Sequence, residues 1–378
     1  MERRINWIDS LKFIGIFYIY LGHLGGSAGN LYPFVFSFHV PLFFFISGCF
    51  ASTRTRTSFR QFTIDKFKQL MIPYFVYSLL SIVVYLLCIP ATDSFGVVAS
   101  LALKALLGVR NETPYGPSLW FLPCIFVTAL IFRAACTITT NRAGLACIFV
   151  GLYLASLFAL DSPPAQTPRM WLNVDSAMYY GLFYFLGWLS FGWIKHLDLR
   201  LHMNNPSGLL LIGCTGAVVL MTFLKGINYP YSALGWDLAN PVRHIFNLPL
   251  ILALIVFHFF VAYSLAGLRY ATALGKETLT LCGLETITRT VLISSITTAG
   301  LTLSINNAFS AIIFTVVTLS FSLYVVIPVK NTIVKHYANE ARRREVDEMQ
   351  PVMEPALSGL ATEEPLAARA LGLPPRTE

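Results

Sequence analysis

Apolar residues run through this chain in long blocks separated by short polar stretches. Apolar runs of roughly 18 or more residues mark candidate transmembrane helices. Ten such spans lie near residues 8–27, 31–51, 70–90, 118–137, 143–160, 176–194, 208–224, 244–266, 279–302 and 309–330. The fifth and seventh are short or glycine-rich. Because the connections are mostly brief, the pattern predicts an all-α integral membrane protein, a bundle of about ten transmembrane helices. Residues 97–108 form an apolar stretch too short to cross and are expected to lie in the membrane interface. From about Asn339 the composition turns to charged residues, then to Pro, Ala, Leu and Glu without a sustained period. Residues 1–335 are therefore read as the ten-span membrane domain, and residues 336–378 as a charged, disordered cytoplasmic tail.

Composition agrees with the pattern. Hydrophobic residues make up 56% and charged residues 12%, with a mean hydropathy of +0.64; soluble domains carry about 25% charged residues. The net charge of +8 does not point to nucleic acid, because its placement is a topology signal. Lys and Arg cluster at both ends and after spans 2, 4, 6 and 8. The opposite loops hold only Lys104, Arg110, Arg169, Lys225 and Arg243. That bias places both termini in the cytoplasm, which requires an even number of spans. A cleaved signal peptide would need a shorter apolar stretch without Asp9 and Lys12. The scattered cysteines form no C-x-x-C or Cys/His metal spacing, so neither a disulfide nor a metal site is expected.

Ionisable side chains are costly in lipid, and each inside a span is a functional candidate. Asp9 and Lys12 stand three apart on one face near the start of span 1. An interfacial ion pair with a snorkelling lysine would also explain them. His23 lies fourteen positions beyond Asp9, roughly 21 Å along a helix. His39 follows in the run Phe38-His39-Val40-Pro41-Leu42-Phe43-Phe44-Phe45-Ile46-Ser47-Gly48. Spans 1 and 2 must form an antiparallel hairpin, which brings the two histidines within about 12 Å in depth. Two neutral imidazoles there suit a general base and its orienting partner. Pro41 is expected to loosen the helix and free a carbonyl that needs a donor. Residues 43–45 read as bundle packing. Glu285 and Arg289 sit four apart in span 9, in the favourable order, for mutual neutralisation or for substrate. His258 reads as core. Arg243 and His244 either face a sugar or anchor the interface. No G-x-x-x-x-G-K-[ST], H-E-x-x-H or G-x-S-x-G motif occurs, which leaves ATP hydrolysis, zinc proteolysis and serine hydrolysis without support.

These residues resemble a known family. Asn6-Trp7-Ile8-Asp9-Ser10-Leu11-Lys12-Phe13-Ile14-Gly15, followed by Leu21-Gly22-His23, looks like the opening of the membrane acyltransferase 3 family. Phe36-Ser37-Phe38-His39-Val40-Pro41-Leu42 and the residues to Gly48 match its second signature. Pro117-Ser118-Leu119-Trp120-Phe121-Leu122, Tyr184-Phe185-Leu186-Gly187 and Leu274-Gly275-Lys276-Glu277-Thr278-Leu279 resemble later blocks. The likeness spans residues 5–330. It implies an integral membrane O-acyltransferase that moves an acyl group, usually acetyl, from cytoplasmic acetyl-CoA or another acyl-CoA. The acceptor is a hydroxyl of a cell-envelope polysaccharide or a lipid-linked sugar, and the enzyme sits among the lipids of the cell inner membrane.

His23 would then be the catalytic histidine, as base or transient acyl carrier, with His39 second and Lys12 and Asp9 as supporting charges near the donor entrance. Lys12 stands where many members have arginine. Cys282 and Glu285 take the places of a tyrosine and a histidine, which puts that histidine's role in question. In the basic loop 54–68, Arg54, Arg56 and Arg60 are candidates to hold the CoA phosphates, although the positive-inside bias alone would place arginines there. A transporter that moves a glycan or acylated metabolite without chemistry is the competing reading. The absence of an inverted half-repeat weighs against it.

Overall fold

A computed structural model of the chain describes residues 6–53, 57–88, 94–110, 116–160, 164, 168–195 and 203–340. The described residues form helices and connecting turns, with no strand among them. They fall into two units, Met1–Leu323 and Tyr324–Glu378. In the second, the described residues are helical, with His336 Nε2 3.6 Å from Glu340 Oε1. Arg54, Arg56, residues 111–113, where Asn-Glu-Thr fits an Asn-x-Thr glycosylation pattern, and the tail beyond residue 340 lie outside the described residues.

The first unit is organised around α1 (Asn6–Gly22), which is buried on most of its faces. Next come α2 (Leu31–Phe36), α3 (His39–Cys49), α4 (Phe59–Lys66), a π turn at Phe67–Met71, α5 (Ile72–Cys88) and α6 (Ser94–Leu107). The middle of the chain forms α7 (Phe121–Ile138), α8 (Arg142–Phe158), α9 (Val174–Ile194), α10 (Pro206–Lys225) and the short α11 (Tyr229–Ser232). The unit ends with α12 (Asn240–Ser264), α13 (Arg269–Lys276), α14 (Thr278–Thr298) and α15 (Ala308–Phe321). Polar caps start several helices where an apolar run begins. Asn205 Oδ1 accepts from Gly208 N at 2.7 Å ahead of α10, and Asn307 and Ser310 form a reciprocal capping box at α15.

Among the described residues, seven helical segments are long and apolar enough to cross a membrane. Span 2 overlaps two short helices, α2 and α3, and the other nine of the ten expected spans each overlap one long helix. Those near 8–27, 143–160 and 176–194 fall on α1, α8 and α9, which are not among the seven. The faces turned away from the bundle are apolar. Val76, Leu79, Val83 and Leu87 of α5 and Leu209, Leu210, Leu220 and Leu224 of α10 are all exposed. Continuous apolar surface of this kind is a liability in water and a match for lipid tails.

Span 2 differs from a single helix. It breaks at Ser37 and Phe38, and α3 starts afresh at His39. Pro41 thus lies in the first turn of α3, where a missing N–H costs nothing. The carbonyl of Val35, left at the break, accepts from His39 Nδ1 at 2.8 Å. Two close helix crossings hold this region. A Cβ on Gly48 of α3 would lie 1.8 Å from the Tyr184 carbonyl oxygen of α9, and one on Gly187 would lie 2.0 Å from the Phe45 carbonyl oxygen. The two glycines let α3 and α9 touch backbone to backbone. Gly275 of α13 does the same against the Asp9 carbonyl of α1.

Candidate active site

His23 follows the last turn of α1, its N–H still bonded to Ile19 O at 3.0 Å. Its Nδ1 lies 2.8 Å from Oε2 of Glu285, on α14. An ionised carboxylate only accepts, so Nδ1 carries the hydrogen and the lone pair of the neutral ring is on Nε2. Glu285 is 1% exposed, and a buried carboxylate needs both a countercharge and hydrogen-bond donors. It has both. Ser118 Oγ donates to Oε2 at 3.1 Å, Thr286 Oγ1 donates to it at 3.3 Å, and Arg289 Nη1 lies 3.2 Å from Oε1. Arg289 Nη1 also donates to the His23 carbonyl at 2.9 Å, satisfying an acceptor at the open end of α1. One arginine therefore fixes both the backbone of the histidine and the carboxylate that orients its ring.

The other sequence candidates divide by position. His39 is buried, with its ring edge-on to Phe36 at 4.9 Å, and it lines the same cavity as His23. Its Nδ1 is committed to Val35 O, so the orienting contact on His23 comes from Glu285 and not from the second imidazole. Asp9 and Lys12 pair at 3.8 Å in the first half of α1, where Lys12 also lies 5.1 Å from the Phe50 ring. Arg60 is exposed on α4. His258 is tucked into the core between Leu254 O, Tyr18 and the Phe38 ring. Phe44 stacks on Tyr180 and Phe45 packs on Phe259, whereas Phe43 reaches the cavities.

Three cavities adjoin along the bundle. The His23 cavity, about 310 Å³, is lined by His39, Ser118, Trp120 and Arg110 among others. It shares Ile19, Phe43 and Phe121 with a cavity of about 330 Å³ beside the first half of α1, whose polar lining includes Lys12, Lys276 and Gln69. On its other side it shares Phe36, Val40 and Arg110 with a cavity of about 250 Å³ that contains Arg243, His244 and Asn247. The His23 imidazole thus stands between an apolar compartment with lysines at one end and a polar one lined by guanidinium and amide groups.

Residues 5–327 match the family model described as an acyltransferase domain, of the acyltransferase 3 family. The chain belongs to this family. No curated protein and no solved structure matches it. Family and apolar helices together make it a membrane acyltransferase. In this acyltransferase, Ser118 and Trp120 come from the Pro117–Leu122 block, and Gly187 and Gly275 come from the other later blocks. The two glycines are crossing points, whereas Ser118 is a donor to Glu285. Sequence reasoning gave no role to Ser118, Arg110 or Lys276. For Ser118 the signal was available, a hydroxyl two positions before a tryptophan within a recognisable block.

Proposed function

We propose that the protein transfers an acyl group, acetyl in the simplest case, from cytoplasmic acyl-CoA to a carbohydrate hydroxyl, with His23 as general base. The contact between His23 Nδ1 and Glu285 carries this reading, because it leaves Nε2 as the basic nitrogen in a cavity with compartments on either side. His23 Nε2 takes the proton of the acceptor hydroxyl as its oxygen bonds to the thioester carbon. As the carbon–sulfur bond breaks, the imidazolium returns that proton to the departing thiolate. Glu285 stabilises the imidazolium while it lasts, and Arg289 with Ser118 keeps the carboxylate in place.

On the donor side, the apolar wall of Ile16, Ile46, Leu122 and Ile125 suits a thioester arm, and Lys12 and Lys276 suit phosphates. Burial of the reacting groups limits hydrolysis of the donor by water. The acceptor is a cell-envelope polysaccharide or lipid-linked sugar. The enzyme crosses the inner membrane ten times with both termini in the cytoplasm. Asp9 supports Lys12 at the donor entrance, Arg54, Arg56 and Arg60 add positive charge at that face, and His39 borders the acceptor's path.

The test is purified protein in vesicles with radiolabelled acetyl-CoA, wild type against His23→Ala. The expected outcome is label transferred to added membrane glycan, or CoA released, with a drop of about 10²–10⁴-fold in the variant. Equal turnover by both proteins would remove His23 from the mechanism. A folded wild type that binds no acyl-CoA would refute the transferase reading in favour of transport.

A further inference from the structure

The third cavity contains groups that the transfer step does not use. Arg110 and Arg243 line it, and no carboxylate is among its described lining residues. Arg110 is held from several directions. Its main-chain N–H donates to Asn173 Oδ1 at 3.0 Å, and its guanidinium lies 4.5 Å from the Trp120 ring centre. Asn173 is fully buried, and its amide donates to the carbonyls of Gly108 and of Trp120. To make these bonds, Leu172 and Asn173 adopt left-handed backbone, φ 50 and 55. That conformation is unfavourable for non-glycine residues and persists where the surroundings over-determine it.

Arg243 sits in the first turn of α12, donates to the side chain of Asn240, and lies where helix N–H groups favour negative charge. The rest of the wall is neutral and rich in hydrogen-bonding groups. Asn247 Nδ2 donates to Asn228 Oδ1 at 2.9 Å, Tyr179 OH lies 3.0 Å from His244 Nδ1, and Tyr231, outside the lining, donates to Asn247 Oδ1 at 3.1 Å. Amide, phenol and imidazole groups around aromatic faces suit the hydroxyls of a sugar ring. Guanidinium forks suit the paired oxygens of a carboxylate or phosphate.

We propose that this cavity is the acceptor subsite and that it selects acceptors bearing an oxyanion, a carboxylate on the sugar or a phosphate attached to it. Arg243 recognises the anion, and Arg110, shared with the His23 cavity, steers the sugar toward the base. The assignment rests on His23 acting in acyl transfer to a carbohydrate.

Binding without donor tests it separately from catalysis. Methyl glucoside, methyl glucuronide and glucose 1-phosphate are compared by equilibrium dialysis against the full chain in lipid nanodiscs at low salt. One anionic probe is expected to bind about 10-fold or more tighter than methyl glucoside, a difference of about 1.4 kcal/mol. Preference for the glucuronide identifies an acidic sugar, and preference for the phosphate identifies a phosphate-linked one. Arg243→Gln is expected to shrink the preference to within about 3-fold, and Arg243→Lys to retain more of it. Should Arg243→Gln fail to fold, Arg110→Gln and the wild-type ratio decide. Equal binding of the three probes, no binding of any, or a preference untouched by Arg243→Gln overturns the proposal. Acyl transfer with no anion preference would sink this subsite alone. Anion preference without acyl transfer would sink the catalytic reading and leave an anion site.

Discussion

Glu285 has four contacts on two oxygens, and they divide between chemistry and stability. Through Oε2 it orients His23, and through Oε1 it meets Arg289. Glu285→Gln keeps the shape and removes the charge that favours an imidazolium. We expect kcat to fall about 10²–10⁴-fold with little change in KM for the donor, measured by steady-state acyl transfer. Arg289→Met removes the arginine while the carboxylate stays buried, which costs about 3–5 kcal/mol and lowers the thermal midpoint in detergent. Combining Arg289→Met with Glu285→Gln is expected to restore much of that stability but none of the activity. If the double variant regains turnover, Glu285 is not part of the mechanism. Spacing alone suggests the Glu285–Arg289 pair, since four residues on one helix put them side by side. The contact with His23 spans 262 positions and two helices and leaves no trace in any local pattern. His23 stands out in the sequence as a polar residue in an apolar run, but its partner requires the packed bundle.

At the scale of the helix, the glycines at the α3–α9 crossing decide how closely His39's helix can approach its neighbour. Alanine at Gly48 or Gly187 would drive a methyl group into a facing carbonyl, and backbone cannot rotate aside as a side chain does. Each is expected to cost about 1–3 kcal/mol as overpacking, read as a lower unfolding midpoint in detergent. Gly151 of α8 has nothing within 4 Å of the added Cβ, so Gly151→Ala is expected to be neutral or mildly stabilising. Equal tolerance at all three positions would mean that α3 and α9 are not in backbone contact. Hydropathy makes the helices legible but not their interruptions. The break at Ser37 and Phe38 lies inside an apolar run, and Pro41 marks it only within three or four residues. The His39 bond to Val35 O appears once the break is placed.

For the whole molecule, the decisive quantity is whether the number of crossings is odd or even. Among the described residues seven helical segments, the broken α2–α3 pair counted as one, meet length and composition, and seven would put the termini on opposite sides. α1 falls short because its 17 residues span only about 26 Å. A helix surrounded by others need not meet the lipid by itself, and α1 packs against α3, α12, α13, α14 and α15. α8 has 17 residues, and α9 has 21 but carries Asp175 and Ser176 buried in its first turn. If these three also cross, the count is ten, and the positive-inside bias predicts both termini on the side rich in Lys and Arg. Protease-cleavable tags at each end test this in vesicles of known orientation. Both tags are expected to be cut in inverted vesicles and protected in right-side-out ones. One tag cut in each orientation would mean an odd count, and an N-terminal tag protected in inverted vesicles would take with it the assignment of the Lys12 and Lys276 cavity to the cytoplasmic donor side.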